Sequence, residues 1–264
     1  MLSLIVSTVF ASAFASVTAR VRPPTAPPAA APAPSAATFV VAIDPGHGGS
    51  NLGAARPSGD GEAARGESGP RFEKQITLEV ARRLQARLEE QVGFRVVLCR
   101  SEDVMIPIRA RSRCVERAHA ALFISLHTNA SPPGVSTGSR RGFEIYLLSP
   151  QEVEDDAAVA GLRPADEADG IWAAHEVHAT AERAILAARL IEGRLAERLG
   201  AHASRGIRQT GAALDVLRGT GTPGVLVEVG FIDHPEEGAR LASPAGQDLL
   251  ASALADAITD FARH

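Results

Sequence analysis

Three short segments of the chain consist almost entirely of apolar residues. They are FVVAI at 39–43, ALFISL at 121–126 and VLVEV at 225–229. A strand reads as a continuous apolar run when both faces of its sheet are covered, whereas a strand with one solvated face alternates apolar and polar residues. These runs therefore predict buried strands.

Helical patterns lie between these strands. From Glu73 onward, apolar residues recur every four positions, which is typical of an amphipathic helix. Strands that alternate with helices favour an α/β fold, a layered domain around a mostly parallel sheet. Further strands are predicted at 95–98, 143–148 and 213–217, further helices at 107–118, 180–199 and 245–262, a long loop at 50–72, and an acidic irregular segment at 151–178.

The composition excludes several classes of function. The chain has 264 residues, a formal net charge of −4 and 4% aromatic residues. The negative charge argues against an electrostatic nucleic-acid binder, and the low aromatic content disfavours a stacking platform for single strands. The two cysteines are too few for a disulfide-dense scaffold or for a zinc site with four cysteine ligands.

The N-terminus has the pattern of an export signal over residues 1–16. An apolar run at 2–9 precedes the small-x-small pattern Ala13-Phe14-Ala15, and the run is too short to span a bilayer. No Lys or Arg precedes it, so an apolar N-terminus or a misassigned start codon is the alternative. Residues 17–37 are predicted to be a Pro/Ala-rich linker and 38–264 the domain. We therefore expect a periplasmic or secreted protein whose mature form has no integral membrane segment.

Two histidines stand at predicted strand ends. His47 follows the first strand in the segment IDPGHGG, and His127 follows the third in FISLHTN. Two imidazoles at neighbouring strand ends can converge on one ion, and Glu73, which opens the first long helix, is the best placed carboxylate for a third ligand. Such a set leaves one position of a tetrahedral zinc site open for water. Zinc lowers the pKa of that water to about 7 and polarises a carbonyl.

Hydrolysis also needs a base that is not a metal ligand, and Glu228 is the candidate. It lies inside the apolar run VLVEVGF, where a carboxylate is costly to bury unless it is paired or functional. Near an activated water it could accept a proton and pass it to the leaving amine.

Each of these residues also has an ordinary structural interpretation. A histidine after a strand is usually a hydrogen-bonded loop residue, Glu73 could be a simple first-turn acid, and Glu228 could pair with a buried arginine. The joint placement of the set favours the functional interpretation. The segment His175-Glu176-x-His178 lacks the spacing of the H-E-x-x-H zinc helix, and we interpret it as solvated surface.

At these residues the sequence resembles the zinc-dependent N-acetylmuramoyl-L-alanine amidases of the bacterial cell wall, the Amidase 3 type. The resemblance covers the chain from about residue 38 to its end. It is carried by IDPGHGG (43–49), EKQITLEVARRL (73–84), LFISLHTNAS (122–131), GFEIYLLS (142–149) and VLVEVGFIDHPEE (225–237).

The resemblance implies a role for each matching residue. His47, Glu73 and His127 match the zinc ligands of that family, and Glu228 matches its catalytic glutamate. The implied reaction is hydrolysis of the amide between the lactyl group of N-acetylmuramic acid and L-alanine of peptidoglycan. The implied fold is a three-layer α/β/α domain around a six-stranded sheet. Arg100, Asp103 and Arg111 also fit the family pattern, and we expect them to support the site rather than to react.

The sequence departs from the family pattern at three places. Asn51-Leu52-Gly53-Ala54 stands where Asp-x-Gly-Ala is usual, and His234-Pro235 stands where Asn-Pro is usual. The loop at 56–71 is longer than usual, which makes Glu62 and Glu67 competitors of Glu73, although flexible positions preorganise a ligand poorly.

Residues 150–178 lie where some family members carry a regulatory helix over the zinc. One of the segment's carboxylates could occupy the open zinc position until an activator protein moves it, and a tolerated surface insertion is the alternative. The acidic residues are Glu152, Glu154, Asp155, Asp156, Asp166, Glu167 and Asp169.

Three further questions stay open at this point. Another zinc peptidase or amidohydrolase on the same fold would carry the same ligands, and a non-catalytic module that binds the cell wall would lack one of them. All four positions are filled here, which disfavours the module. Cys99 and Cys114 could pair in an exported protein, but the sequence does not give their separation.

Overall fold

A computed structural model describes residues 38–56, 71–159, 167–209 and 212–264, with side chains for all but 157–159, 167–173 and 212–213. These elements belong to one unit, Ala36–His264. The predicted export signal at 1–16, the predicted linker at 17–37, and the competitors Glu62 and Glu67 lie outside the described residues.

Six strands form one twisted sheet in the order β4-β1-β5-β8-β6-β7. The first four of these pair in parallel, β6 pairs antiparallel with β8, and β7 pairs parallel with β6. The predicted α/β fold with a mostly parallel sheet of six strands is confirmed. The strands are β1 (Phe39–Pro45), β4 (Phe94–Leu98), β5 (Leu122–Asn129), β6 (Phe143–Tyr146), β7 (Ser204–Arg208) and β8 (Gly224–Phe231), and a separate hairpin pairs β2 (Ala55–Arg56) with β3 (Arg71–Phe72).

The larger hydrophobic core lies between one face of this sheet and three helices, α1 (Glu73–Glu89), α4 (Glu167–Leu199) and α6 (Pro244–Phe261). The four-residue repeat of α1 is buried as predicted, with Ile76, Val80, Leu84 and Leu88 at most 1% exposed. Full burial of each such side chain contributes about 1.5–3 kcal/mol. Packing therefore fixes α1, and with it the position of the glutamate at its first residue.

On the opposite face of the sheet, the described residues form a second and smaller core. Helix α2 (Ile108–Ala118) and a 3-10 helix (Ala212–Val216) pack there on a smaller core that includes Phe123 and Leu226. Side chains two positions apart on a strand share a face. His127 on β5 and Glu228 on β8 therefore point to the same side as Phe123 and Leu226, beyond the end of the smaller core.

The structure corrects the prediction that residues 151–178 are irregular. The segment contains helix α3 (Pro150–Val159) and the first part of α4. Ser149 and Glu152 form a reciprocal cap at the start of α3, since the Ser149 N–H donates to Glu152 Oε2 (2.9 Å) and the Glu152 N–H donates to Ser149 Oγ (3.3 Å). The low apolar content of the segment hid these helices, although the Ser-x-x-Glu pattern marks the first one.

Two other predictions about strands are wrong. Residues 213–217 were expected to form a strand, and 212–216 form the 3-10 helix instead, while the edge strand β7 was not predicted. The sequence of β7, SRGIR, contains two arginines and no apolar run, as is typical of an edge strand whose charged side chains discourage pairing with another chain. Strand β5 extends to Asn129, so His127 lies within the strand rather than after it.

Candidate metal centre

His47 is presented by a tight turn after β1. Its backbone φ of 63° lies in the left-handed region, which is uncommon for a residue other than glycine. The flanking chain passes close to the other site residues: a Cβ at Gly46 would lie 2.4 Å from the His127 ring, and one at Gly53 would lie 2.5 Å from Glu73 Oε2. The glycines at 46 and 53 are therefore required by close approach.

The structure brings together the three side chains that the sequence predicted to converge. Glu73 Oε2 lies 3.1 Å from His47 Nε2, and Glu73 Oε1 lies 3.0 Å from His127 Nδ1. One ligand atom from each residue lies within 4.8 Å of the other two. The carboxylate thus bridges two imidazoles at the edge of the sheet where β1 and β5 end.

The Glu73 carboxylate is buried, and hydrogen bonds to both of its oxygens offset the cost of removing the charge from water. Each oxygen accepts a backbone hydrogen bond in addition to its imidazole contact, Oε2 from Ala54 (2.9 Å) and Oε1 from Thr128 (2.9 Å). Burial alone would raise the pKa of Glu73, but the hydrogen bonds with His127 and His47 outweigh it and hold the pKa at about 2. The group is therefore ionised at neutral pH, as a metal ligand must be.

The donor set fits a zinc ion. Two imidazole nitrogens and one carboxylate oxygen are ligands that Zn²⁺ takes in catalytic sites, with a fourth position left for water or substrate. His47 Nδ1 lies 2.8 Å from Asn51 Oδ1, so its Nε2 faces Glu73. Hydrogen bonding at the second ring nitrogen fixes the orientation of a ligand histidine. Asn51 thus serves as the orienting acceptor at the position where the family usually has aspartate.

Glu228 lies next to this cluster, and its side chain forms no hydrogen bond or ion pair with another described residue. It is the register neighbour of His127 in the pairing of β8 with β5. Its Oε2 atom is buried without a hydrogen-bond partner, and no described arginine pairs with Glu228. Burial raises the pKa of Glu228 to about 7; the two histidines oppose this shift, and the carboxylates of Glu73 and Glu144 add to it. An unpaired carboxyl group with such a pKa can exchange a proton near neutral pH.

Two buried arginines hold the turn that carries His47. Arg100, which is 1% exposed, donates to the carbonyl oxygens of Pro45 (3.0 Å) and Gly46 (2.9 Å). Arg111 forms an ion pair with Asp44 and donates to the same Pro45 oxygen. These contacts agree with the supporting role expected for both arginines.

Asp103 completes the contacts around this turn. It accepts a hydrogen bond from the Gly49 N–H (2.8 Å) and forms an ion pair with Lys74 Nζ (2.7 Å).

A disulfide joins Cys99 to Cys114, with Cα atoms 5.6 Å apart. The segment that carries Arg100, Asp103 and Arg111 is therefore closed into a ring across the end of β4 and the middle of α2.

A second buried carboxylate, Glu144, lies in the same row and was not predicted from the sequence. Glu144 on β6 is the register neighbour of Glu228. Its Oε1 accepts from Arg205 (2.7 Å) and Arg208 (3.3 Å), and its Oε2 accepts from Asn129 (2.8 Å) and from the Tyr146 hydroxyl (2.8 Å). Burial would raise the pKa of Glu144, but Arg205, Tyr146 and Arg208 hold that pKa below its usual value. The sequence carries the same signal for Glu144 as for Glu228, because Glu144 is a glutamate inside an apolar run, FEIYLL.

Other candidate residues lie away from the cluster. His175 and His178 are exposed on α4, and His178 pairs with Glu182 one turn later (3.2 Å), so the interpretation as solvated surface is confirmed. His234 accepts the Glu237 N–H (3.2 Å) as the N-cap of α5 (Pro235–Ala242), with Pro235 at the first helical position.

Two acidic residues of α3 also have partners elsewhere. Glu152 pairs with Arg218 (2.8 Å), and Asp156 accepts the N–H of Gly219. Both carboxylates therefore bind residues that precede β8 in the chain, and neither is free to cover the metal position.

The histidine–glutamate–histidine cluster, with Glu228 beside it at the edge where parallel strands end, is an arrangement that could hold a metal ion. The chain belongs to the N-acetylmuramoyl-L-alanine amidase family of the Amidase 3 type, whose family model matches residues 41–260. The resemblance found in the motifs is thereby confirmed.

Known proteins support this membership. The chain is 28% identical over 231 residues to the N-acetylmuramoyl-L-alanine amidase AmiC of Neisseria meningitidis, covering 83% of this chain and 51% of the relative. It is 28% identical over 229 residues to AmiC of Escherichia coli, covering 81% and 51%. The chain thus spans about half the length of these curated relatives.

Among solved structures, N-acetylmuramoyl-L-alanine amidase AmiC2 of Nostoc punctiforme superposes with a TM-score of 0.61 at 27% identity, covering 86% of this chain and 98% of that one. In the described part of this chain, helices that are both long and apolar enough to cross a membrane are absent.

Proposed function

We propose that this protein hydrolyses the amide bond between the lactyl group of N-acetylmuramic acid and L-alanine in bacterial peptidoglycan. The observation that carries the proposal is the convergence of His47, Glu73 and His127 beside the unpaired carboxyl group of Glu228. Membership of the amidase family supports the choice of bond.

In this proposal His47, Glu73 and His127 hold a Zn²⁺ ion. A bound zinc supplies a Lewis acid and lowers the pKa of a water molecule to about 7. Glu228 accepts the proton of the attacking water and delivers it to the nitrogen of L-alanine, so the amine leaves in a neutral form. The turn held by Arg100 and Arg111 keeps His47 in place while this happens.

We also propose that the protein acts outside the cytoplasm, in the periplasm or after secretion. The disulfide between Cys99 and Cys114 supports this, because such bonds persist in oxidising compartments. The expected export signal at 1–16 is tested by N-terminal sequencing of the protein recovered from the cell envelope. A mature chain that begins near residue 17 is the expected result, and a chain that retains residue 1 would contradict it.

An activator acting on residues 150–178 is a further part of the proposal. The carboxylates of Asp166, Glu167 and Asp169 are the remaining candidates to cover the metal position, since Glu152, Asp155 and Asp156 have partners within or next to α3 and Glu154 lies on the same helix. Deletion of residues 152–170 is expected to raise the rate of digestion of purified murein. An unchanged rate in a folded variant would favour a surface insertion instead.

The decisive experiment combines metal analysis with digestion of purified murein, with and without a chelator. The expected result is one zinc per chain, release of intact stem peptides from the glycan, and loss of both zinc and activity with the chelator. Shortened peptides that stay attached to the glycan would indicate a carboxypeptidase on the same fold. Binding to murein without any product would indicate a non-catalytic module.

A further inference from the structure

A row of charged side chains continues from the candidate metal centre across the sheet. The strand order places His127 on β5, Glu228 on β8, Glu144 on β6 and two arginines on β7. The arginines are Arg205 and Arg208, and both contact Glu144 Oε1. Because β8 and β7 are two strand spacings apart, the arginines stand about 10 Å from the strand of Glu228.

This end of the row carries an excess of positive charge. The single carboxylate of Glu144 is shared by two guanidinium groups, and its second oxygen is occupied by Asn129 and Tyr146. Arg208 is the more accessible of the two, with 45% of its side chain exposed. Within the described residues its hydrogen bonds all come from Nη2, so Nε and Nη1 face no protein acceptor there. Arginine binds carboxylates through two parallel N–H donors.

The proposed chemistry fixes which half of the substrate lies over this row. Glu228 delivers a proton to the leaving nitrogen, so that nitrogen has to lie beside β8. His47 and His127 lie on the β1 and β5 side of Glu228, and the arginines lie on the other side. The carbonyl half of the scissile amide therefore faces the histidines, and the leaving peptide extends over β6 toward β7.

We propose that Arg208, supported by Arg205, binds the free carboxylate of the residue that follows L-alanine in the leaving peptide. The inference rests on the proposed function and adds a specificity to it: the site prefers an acidic second residue to the corresponding amide. Consecutive Cα atoms are 3.8 Å apart, so that carboxylate lies about 6 Å from the scissile nitrogen. This distance places it between Glu228 and β7, within reach of a long side chain.

The test compares two substrates that differ in one group. N-acetylmuramoyl-L-alanyl-D-glutamate has a free α-carboxylate at the second residue, and N-acetylmuramoyl-L-alanyl-D-isoglutamine has a carboxamide there. For the zinc-loaded wild type we expect kcat/KM to be at least about tenfold higher on the acid, which corresponds to about 1.4 kcal/mol. Both compounds also compete with murein, so their inhibition constants give the same ratio where turnover is slow.

Substitution of Arg208 should remove the preference selectively. In Arg208→Gln the acid-to-amide ratio should fall below about threefold, mainly through a higher KM for the acid, while the amide is cleaved at nearly the wild-type rate. Arg208→Lys should retain part of the preference, because it keeps the charge and loses the fork. The matched control is Arg198→Gln on α4, whose side chain is 44% exposed and pairs with Asp256, and it should leave the ratio unchanged.

The outcomes separate this inference from the proposed function. Equal wild-type activity and equal inhibition by the two compounds would overturn the carboxylate contact while leaving the amidase proposal intact. A parallel loss on both substrates in Arg208→Gln would assign Arg208 a purely structural role toward Glu144 and would also overturn it. Failure of the wild type to cleave murein at all would refute the proposed function itself.

Discussion

Arg111 donates a hydrogen bond of 2.6 Å from Nη2 to the main-chain carbonyl oxygen of His47. The same guanidinium pairs with the buried carboxylate of Asp44 and with the carbonyl of Pro45. One planar group from α2 therefore holds three residues at the end of β1 and in the turn that follows it, Asp44, Pro45 and His47. This explains how His47 is kept in the left-handed conformation that aims its ring at Glu73.

Replacement of Arg111 by lysine is expected to weaken metal binding. Lysine keeps the charge but cannot reach three acceptors in one plane, so the His47 turn would loosen. Loss of such orienting partners typically lowers metal affinity about 10–100-fold. The measurement is zinc competition with a chromogenic chelator. Arg113→Lys, an exposed arginine on the same helix, is the matched control, and equal affinities in both variants would contradict the positioning role.

Replacement of Glu228 by alanine or glutamine should strongly reduce the rate of hydrolysis without removing the metal. General base catalysis contributes about 10²–10⁴-fold, so a loss of that size is expected in murein digestion. Zinc content should stay at the wild-type level because Glu228 is not among the three converging ligands. Glu116→Gln, an exposed change on α2, should retain full activity. A fully active Glu228 variant would refute its assignment as the base.

Replacement of Glu73 by alanine should lower the zinc content of the purified protein. The carboxylate is the only anionic member of the converging group, and without it two neutral imidazoles would remain as ligands. Atomic absorption of protein dialysed against trace-metal-free buffer measures the effect. Glu89→Ala, which alters an exposed acid at the other end of the same helix, should keep its zinc. Unchanged metal in the Glu73 variant would remove this residue from the ligand set.

Reduction of the disulfide should destabilise the domain. Cys99 and Cys114 are 15 residues apart, and opening a ring of this size costs about 3 kcal/mol in the free energy of unfolding. Urea unfolding with and without a phosphine reductant measures the difference. The double variant Cys99→Ala/Cys114→Ala should be insensitive to the reductant. A wild type that unfolds at the same urea concentration in both conditions would show that the bond contributes nothing.

Replacement of Glu144 by glutamine should change how stability depends on pH. The pKa of Glu144 is lower in the folded protein, so its contribution is fully present above the ordinary value of 4.5 and is lost as the pH falls through the lowered value. The variant should be less stable by about 1–3 kcal/mol at pH 7, as expected for a hydrogen-bonded charge. The difference from wild type should shrink below pH 4.5 and vanish in stronger acid. A constant difference across the titration would indicate a packing defect instead.

Part of the site follows from sequence because strand ends of a parallel sheet meet at one edge. His47 follows the end of a strand and Glu73 is the first residue of a helix. In an α/β fold, the loops after the strands and the starts of the helices lie at the same edge of the sheet. The four-residue repeat after Glu73 fixed the helix itself. The three-way convergence could therefore be expected before any distance was known.

Other parts of the site depend on pairing that the sequence does not record. The contact of Glu144 with the arginines of β7 requires β6 to lie between β8 and a polar edge strand, and no apolar run marks that strand. The position of His127 inside β5 depends on pairing with β8, which continues to Asn129 across a local shift in register. Burial patterns reveal buried strands, whereas strand order and edge strands are set by long-range contacts.

Helix α1 connects the candidate metal centre to the larger hydrophobic core. Its first residue is Glu73, and its last buried residue, Leu88, is sealed in the core. An ion held only by the folded chain stabilises that chain by about 2.7 kcal/mol when it is present at 100 times its dissociation constant. Zinc supply would then govern how long the protein survives proteolysis as well as how fast it works, because binding to the folded state alone lowers the population of the unfolded chain.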